Sequence, residues 1–404
     1  MTETQVQTGF GRMARRAESF ARSPWTFIDQ FLDLHEDLIY FGNGAPAAER
    51  YPVARLREAA AASWQAIDAS ALDYGELKGY RPLRNWIAAR MVEQGFAVTP
   101  EQIIITFGSQ QGIDIACRLF LNPGDLLIAE GPTYIGALQA FDAYEPEYMQ
   151  IPIDSEGIQI DLLRAGVERS GRTPKLIYVI PNFQNPTGVT MSEERRRALV
   201  DLAEEWDAAI VEDDPYGEFW YDVPPPAQLR KLSGRVIYLG TFSKTIAPGL
   251  RVGWMVLPEQ LMPLALMAKE ASEVCSVRTV TRTVHAAANG FLDQHVEESR
   301  LFYGRRRAAM LDALAEYMPD DVRWTEPGGG FFGWVTLPAP LTASELLPVA
   351  ARHGVGFLPG RFFYPAAMGD DRALRLSFSV LSEDRIREGV RRLGDAIRSA
   401  QSLQ

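Results

Sequence analysis

The chain has 404 residues, 47% of them hydrophobic and 23% charged, with a net charge of -11 and two cysteines. That is globular composition, with material for one large and one smaller core, and it excludes fibrous and disordered classes. The negative charge disfavours nucleic acid as a partner, so an anionic ligand needs a locally built positive pocket. The longest apolar runs, Gln102 to Thr106 and Leu176 to Ile180, are strand-length and far below the ~18 residues that span a bilayer. No membrane partner is expected. The polar start Met1 to Gln5, followed by Arg12, Arg15 and Arg16, lacks the uninterrupted apolar stretch of a secretory signal. Cys117 and Cys275 lie far apart, which suits a reduced, cytoplasmic compartment and packing roles, with neither a disulfide framework nor a metal site.

Residues 1 to 100 read as helical and loop-rich. From Gln102 to Trp254 apolar runs alternate with helix-length amphipathic segments, the pattern of an α/β fold with a mostly parallel sheet. Strands are expected at Gln102 to Thr106, Asp125 to Glu130, Lys175 to Ile180, Ala208 to Asp213, Val236 to Gly240 and Arg251 to Leu257. The clearest helix is Glu193 to Trp206, with Ser192 as N-cap, Glu193 and Glu194 in the first turn, and Leu199, Leu202, Ala203 and Trp206 on one face. It covers the sheet and is expected to carry no chemistry. Pro224-Pro225-Pro226 reads as a surface turn. Beyond about residue 290 the spacing predicts a smaller α+β unit: an Arg-rich helix from Glu297 to Met318, strands around Val322 to Leu337, a helix from Ser344 to His353, a strand from Ala373 to Val380 and a helix from Ser382 to Ala400. The expected division is an arm and covering loop over 1–45, a large domain over 46–290 and a small domain over 291–404.

The chemistry-bearing residues stand just after the strands. Gly108 lies in the turn Thr106 to Gly112, between a strand and the apolar helix Ile113 to Leu121. A glycine permits close backbone approach, and Ser109 and Gln110 open a helix whose N-terminus suits a phosphate, although such a turn is also simply a turn. Tyr134 follows the next strand and fits either ring stacking or rim packing. Asn185 precedes Pro186, which restricts it to an extended conformation and presents its amide; a neutral turn explains Pro186 and Gly188 equally well. Asp213 ends an apolar strand, where open α/β sheets place ligands, with Tyr216 three residues on. A carboxylate there can hold a pyridine nitrogen protonated, and the Asp213-Asp214 pair also fits a metal site or a solvated strand end. Lys244, one of only five lysines among 41 basic residues, ends the run Val236 to Gly240 between Thr241, Ser243 and Arg251. An amine becomes a Schiff-base nucleophile when desolvation or neighbouring cations lower its pKa. Thr241, Ser243 and Arg251 add a second set of phosphate donors.

These motifs, in this order, resemble the fold-type I pyridoxal-phosphate enzymes of the class I/II aminotransferase superfamily, and most closely the branch of 2-aminoadipate aminotransferases and MocR-type catalytic domains, over roughly residues 40 to 400. The resemblance implies a large domain with a mostly parallel, seven-stranded-type sheet that binds pyridoxal 5'-phosphate and a smaller α+β C-terminal domain. It implies Lys244 as the Schiff-base lysine and proton shuttle, Asp213 on the pyridine nitrogen, and Asn185 and Tyr216 on the ring oxygen. Tyr134 would stack on the ring, with Gly108, Ser109, Gln110, Ser243 and Arg251 around the phosphate. Arg375, in Leu374-Arg375-Leu376, matches the arginine that grips the substrate α-carboxylate, a task suited to a guanidinium fork. The segment Leu72 to Arg84 resembles the loop whose tyrosine enters the neighbouring subunit's phosphate site, which implies a homodimer with Tyr74 acting in trans.

Two departures bear on substrate. The stretch Thr26 to Leu32 places Asp29 where the branch carries an arginine for acidic substrate groups, a reversal that favours neutral or cationic side chains. The loop Phe41 to Pro46 has Asn43-Gly44 in place of a glycine pair, so Asn43 serves either specificity or nothing beyond the loop. The expected reaction is transfer of an amino group from an L-amino acid to a 2-oxo acid. Elimination, replacement, decarboxylation or amino-acid oxidation on the same cofactor is the first alternative, and a non-catalytic effector-binding module the second.

Overall fold

The computed structural model describes residues 14, 16–17, 28–31, 34–365 and 369–402. Most of the expected N-terminal arm, including Thr26, Phe27 and Leu32, lies outside the described residues, whereas Asp29 lies in the helical turn 28–31. A short strand β1 (Ile39–Tyr40) precedes the helices Val53–Gln65 and Arg81–Glu93. The large sheet follows, with β2 (Ile103–Thr106), β3 (Leu126–Gly131), β4 (Glu147–Asp154), β5 (Gly157–Ile158), β6 (Leu176–Val179), β7 (Ala209–Asp213), β8 (Ile237–Thr241) and β9 (Gly253–Val256). Their spatial order is β2-β9-β8-β7-β6-β3-β4-β5. β4, β3, β6, β7 and β8 pair in parallel, and β9 is antiparallel to both its neighbours. β5 is a two-residue return on the edge of β4.

The six expected strands are present, four with tighter bounds and β3 and β8 shifted by one residue, and β4 completes the set of seven longer ones. It had no strand signal in sequence because it lies towards the sheet edge, half exposed, with Pro152 in it; an edge position tolerates the missing N–H. β9 starts two residues later than expected because Arg251 takes a left-handed conformation, φ 52°, that strands do not accommodate. The central strands are apolar throughout because helices cover both faces of the sheet. Ser109–Phe120, Ile135–Asp142 and Met262–Glu273 pack on one face with Leu127, Tyr178, Val211 and Leu239. Ile160–Ser170 and Glu193–Glu205 pack on the other with Ile128, Ile177, Val179 and Ile210.

The smaller sheet contains β10 (Arg323–Trp324) and β11 (Phe332–Thr336); after them β12 (Val355–Gly356) pairs in parallel with β1, and β13 (Leu358–Pro359) and β14 (Ala373–Ser377) return to the sheet. Its order is β10-β11-β14-β13, antiparallel throughout. The helices Leu292–Tyr317, Ala343–Arg352 and Glu383–Gln401 bury Leu314, Leu346, Leu347, Val390 and Leu393 against it. The first of these begins five residues before the expected Glu297. Its added turn buries Leu292 and Val296 in the core of the large sheet, while Met310 and Leu314 join the small one. One helix thus ties the two sheets together.

Candidate functional site

The ends of β6, β7 and β8, the loop after β1 and the middle of β14 converge. β7 ends on Asp213, only 2% exposed, so the pair Asp213-Asp214 is no solvated strand end. The two carboxylates part. Asp214 accepts from Asn182 Nδ2 at 2.8 Å and from Tyr238 Oη at 3.2 Å, whereas Asp213 Oδ2 accepts from Tyr178 Oη at 2.8 Å. Asp213 Oδ1 is buried with no hydrogen-bond partner. Burial pushes the Asp213 carboxyl up to about 7, opposed by the bond from Tyr178 and reinforced by Asp214.

Lys244, in the turn after β8, donates from Nζ to Gly44 O at 2.9 Å and lies 5.7 Å from the ring centre of Tyr216. Its pKa falls to about 8, chiefly from burial and then from the Arg375 guanidinium; Arg251 adds a smaller push and Asp213 opposes. Arg251 therefore contributes as the sequence suggested, but less than Arg375, which is far away in the chain. Tyr216 is buried edge-on against Phe331 and Phe332.

Arg375, on β14 opposite Trp334, donates from Nη1 to Asn185 Oδ1 at 3.0 Å and from Nη2 to Gly42 O at 2.6 Å. Its guanidinium lies 4.2 Å from the ring centre of Phe332, and its Nε is buried without a partner. Burial lowers its pKa to about 10. It stays protonated at neutral pH and is poised for an anion. Asn43 is exposed and folds back on its own loop, where its Oδ1 accepts from Ala45 N at 2.9 Å; that bond shapes the Gly42–Gly44 backbone whose carbonyls meet Arg375 and Lys244. A Cβ at Gly44 would lie 2.9 Å from Phe332 Cζ. The helical turn bearing Asp29 is packed down by Ile28 on Trp334, Leu358, Phe363 and Ala373, with Tyr40 beside it. The Asp29 charge raises the Tyr40 pKa while Arg375 lowers it, although burial is the largest cause of its rise to about 12.

Gly108 precedes the helix Ser109–Phe120 with φ 71°, and a Cβ there would come within 2.5 Å of Arg251 Nη2. Only glycine fits on both counts. Arg251 donates from Nη2 to Phe107 O and from Nη1 to Pro248 O, both at 3.2 Å. Thr241 Oγ1 donates to Ser243 Oγ at 2.9 Å, so the Ser243 hydroxyl keeps its own hydrogen to donate. Gln110 instead donates to Gly136 O at 2.5 Å. Its side chain braces the Tyr134 turn. Burial raises the Tyr134 pKa, with Asp213 adding to the rise and Arg375 and Arg251 opposing it. The open helix terminus, Ser109, Ser243 and Arg251 can hold a phosphate, and the bare Asp213 Oδ1 can accept from a ring N–H at the same site.

Tyr74 is not in this cluster. Its side chain is 80% exposed, while Arg278 Nη1 donates to the carbonyls of Asp73 and Tyr74 and the buried Lys269 donates to Leu77 O at 2.9 Å. Two functional contributors escaped the sequence. Tyr178 sits inside an apolar strand and reads as core. Arg196, on the helix Glu193–Glu205, is fully buried and donates to Met191 O, Pro181 O and Asn182 Oδ1, fastening the loop that presents Asn185. The triple proline also does more than turn: it borders a 460 Å³ cavity with Trp86, Arg90 and Trp220, which none of Lys244, Asp213, Asn185 or Arg375 lines.

The family model described as aminotransferase class I and II matches residues 36–393. Aromatic-amino-acid aminotransferase 1 of Thermococcus litoralis is 42% identical over 381 residues, which cover 92% of this chain and 91% of that protein. The 2-aminoadipate transaminase of Thermus thermophilus is 36% identical over 371 residues, 91% of each. The crystal structure of Pyrococcus horikoshii kynurenine aminotransferase, in complex with PMP, KYN and KYA, superposes with a TM-score of 0.90 at 40% identity, covering 96% of this chain and 97% of that one.

Proposed function

The chain belongs to the aminotransferase class I and II family, a pyridoxal-phosphate-dependent transferase, and from that premise we propose that it moves the amino group of an L-amino acid with a neutral or cationic side chain to a 2-oxo acid at the Lys244 site. The observation that carries this reading is the bare, buried Asp213 Oδ1 in a site that also holds a lysine of lowered pKa. A buried polar atom without a partner is costly, so it marks a place where a ligand atom belongs.

When bound, pyridoxal phosphate supplies an aldehyde that takes up amines and a protonated pyridine ring that withdraws electrons from an adjacent carbanion. Asp213 would accept from the ring nitrogen and keep its proton in place. Asn185 and Tyr216 would hold the ring oxygen, Tyr134 would stack on the ring face, and Gly108, Ser109, Thr241, Ser243 and Arg251, with the backbone of Gln110, would surround the phosphate. Lys244 would be the amine that holds the cofactor aldehyde, and, when free, the base that moves the proton at the substrate Cα. A pKa of about 8 suits an amine that must be unprotonated at that moment. Arg375 receives the α-carboxylate, and the Gly42–Gly44 backbone covers it and helps to exclude water.

Asp29 supports the side-chain preference. It stands beside Tyr40 and the end of the small sheet, close enough for its charge to be felt there, and it repels an acidic side chain. We further place Tyr74 in the phosphate site of a second subunit. The loop that exposes it is held by Arg278, and next to Arg278 the exposed Val277 lines one groove with the exposed Phe107 and with Arg251, an apolar rim that a homodimer would cover. The residues 46–290 and 291–404 then act as large and small domains, and the free thiols of Cys117 and Cys275 support a cytoplasmic setting.

The test is a half-reaction. Cofactor-loaded protein mixed with one amino acid and no oxo acid is expected to release one equivalent of 2-oxo acid and leave pyridoxamine phosphate, with leucine, phenylalanine or arginine reacting faster than 2-aminoadipate. Ammonia or carbon dioxide in place of that exchange would replace transamination by another reaction. A faster 2-aminoadipate reaction would overturn the side-chain preference alone.

A further inference from the structure

We infer that Tyr178 is a positioning residue for the cofactor-binding carboxylate: its hydroxyl holds Asp213 by one oxygen, in one orientation and in its ionised form, and so leaves Oδ1 turned to the ring nitrogen. The inference rests on the reading of Asp213 given above. Tyr178 lies on β6, in register with Val211 of β7, so its side chain shares a sheet face with Asp213 two residues further along. It is fully buried, edge-on to Phe141 at 5.2 Å, in a cluster with Leu138 and Val211. Phenylalanine would satisfy that packing. The one thing the hydroxyl adds is the 2.8 Å bond to Asp213 Oδ2.

A carboxylate buried with one oxygen bare is driven towards its neutral form. A neutral Asp213 cannot pair with a protonated ring nitrogen. The groups facing Asp213 divide: Tyr178 and Lys244 favour its charge, Asp214 opposes it, and Tyr134 and Tyr216 feel it as a nearby negative charge. Of the two groups that favour the charge, Tyr178 is the one hydrogen-bonded to Asp213, and its own pKa is raised well above 10, so it is a donor at every working pH.

The experiment measures cofactor affinity of the apoprotein from pH 6 to 9 for the natural chain, Tyr178→Phe, Asp213→Asn and the double variant, by absorbance titration with pyridoxal phosphate. Tyr178→Phe is expected to bind about tenfold more weakly near pH 6.5, the scale of one hydrogen bond to a charged group, and to approach the natural chain near pH 9. In the Asp213→Asn background the same substitution should leave the pH profile unmoved. A second readout needs no cofactor. Asp213 has a raised folded pKa, so its neutral form favours the fold at low pH and that contribution is lost as pH rises through about 7. In Tyr178→Phe apoprotein the loss should run to higher pH and be larger. A pH-independent drop in affinity or stability would make Tyr178 a core residue only. If the natural chain takes up no pyridoxal phosphate, the Asp213 reading itself fails, whatever Tyr178 does.

Discussion

The site at the ends of β7 and β8, with Arg375 of β14, and the outer face of the helix Glu383–Gln401 are both rich in charge, yet they treat it in opposite ways. On the helix most charges are answered. Asp37 takes Arg385 at 2.7 and 3.0 Å and Arg392 at 2.9 Å, Glu388 takes Arg391 at 2.8 Å and Arg392 at 2.7 Å, and Arg387 reaches Glu316 at 2.6 Å. The Asp37 and Glu388 carboxylates sit well below their usual range, at about 2, because arginines hydrogen-bond them. At the strand ends the shifts run the other way, since burial dominates and partners are withheld: Asp213 is raised, Lys244 and Arg375 are lowered, and Asp213 Oδ1 and Arg375 Nε stay bare. The helix uses charge for its own cohesion. The strand ends hold theirs uncompensated for a ligand to complete.

That contrast orders the expected effects. Lys244→Ala removes the proton-transferring amine and should lower turnover by at least about a thousandfold, measured with saturating amino acid, while the folded chain keeps its circular dichroism. Arg375→Lys keeps the charge but loses the fork and its bond to Asn185, and should raise KM for the amino acid about 10- to 100-fold with a smaller change in kcat. Asp29→Arg reverses the charge next to Tyr40 and should shift the kcat/KM ratio of 2-aminoadipate over leucine about tenfold towards the acidic donor, the size of one partly screened charge contact. Glu388→Gln should leave activity untouched and cost less than about 1 kcal/mol of stability, and less again at high salt. Its contribution has the sign of a lowered carboxylate: present above the unfolded value of 4.5 and lost as pH falls towards about 2. A large effect from Glu388 or a small one from Arg375 would erase the distinction between the two regions.

How far the chain could be read from its letters follows from where each residue stands. Lys244, Asp213, Asn185 and Gly108 were visible because they interrupt apolar strands at their ends, beside Gly, Pro and hydroxyl residues that turns require. Tyr178 was not, because an aromatic inside an apolar strand is a core residue by every local rule and only the third dimension supplies its partner. Arg196 was hidden in Arg195-Arg196-Arg197, a run that reads as a solvated face although its middle member is fully buried. β4 was hidden by Pro152 and by its half-exposed position towards the edge. The order of lowering influences on Lys244 was also out of reach, since Arg375 approaches it from the far end of the chain.

The account stands most directly on Lys244. Borohydride reduction of the pyridoxal-phosphate-loaded protein, followed by peptide mass mapping, should place the reduced cofactor on the peptide that contains Lys244 and on no other lysine, and a prior pulse of a reactive amino acid should abolish that label. Label on Lys78, Lys175, Lys231 or Lys269, or label that survives the pulse, would contradict it.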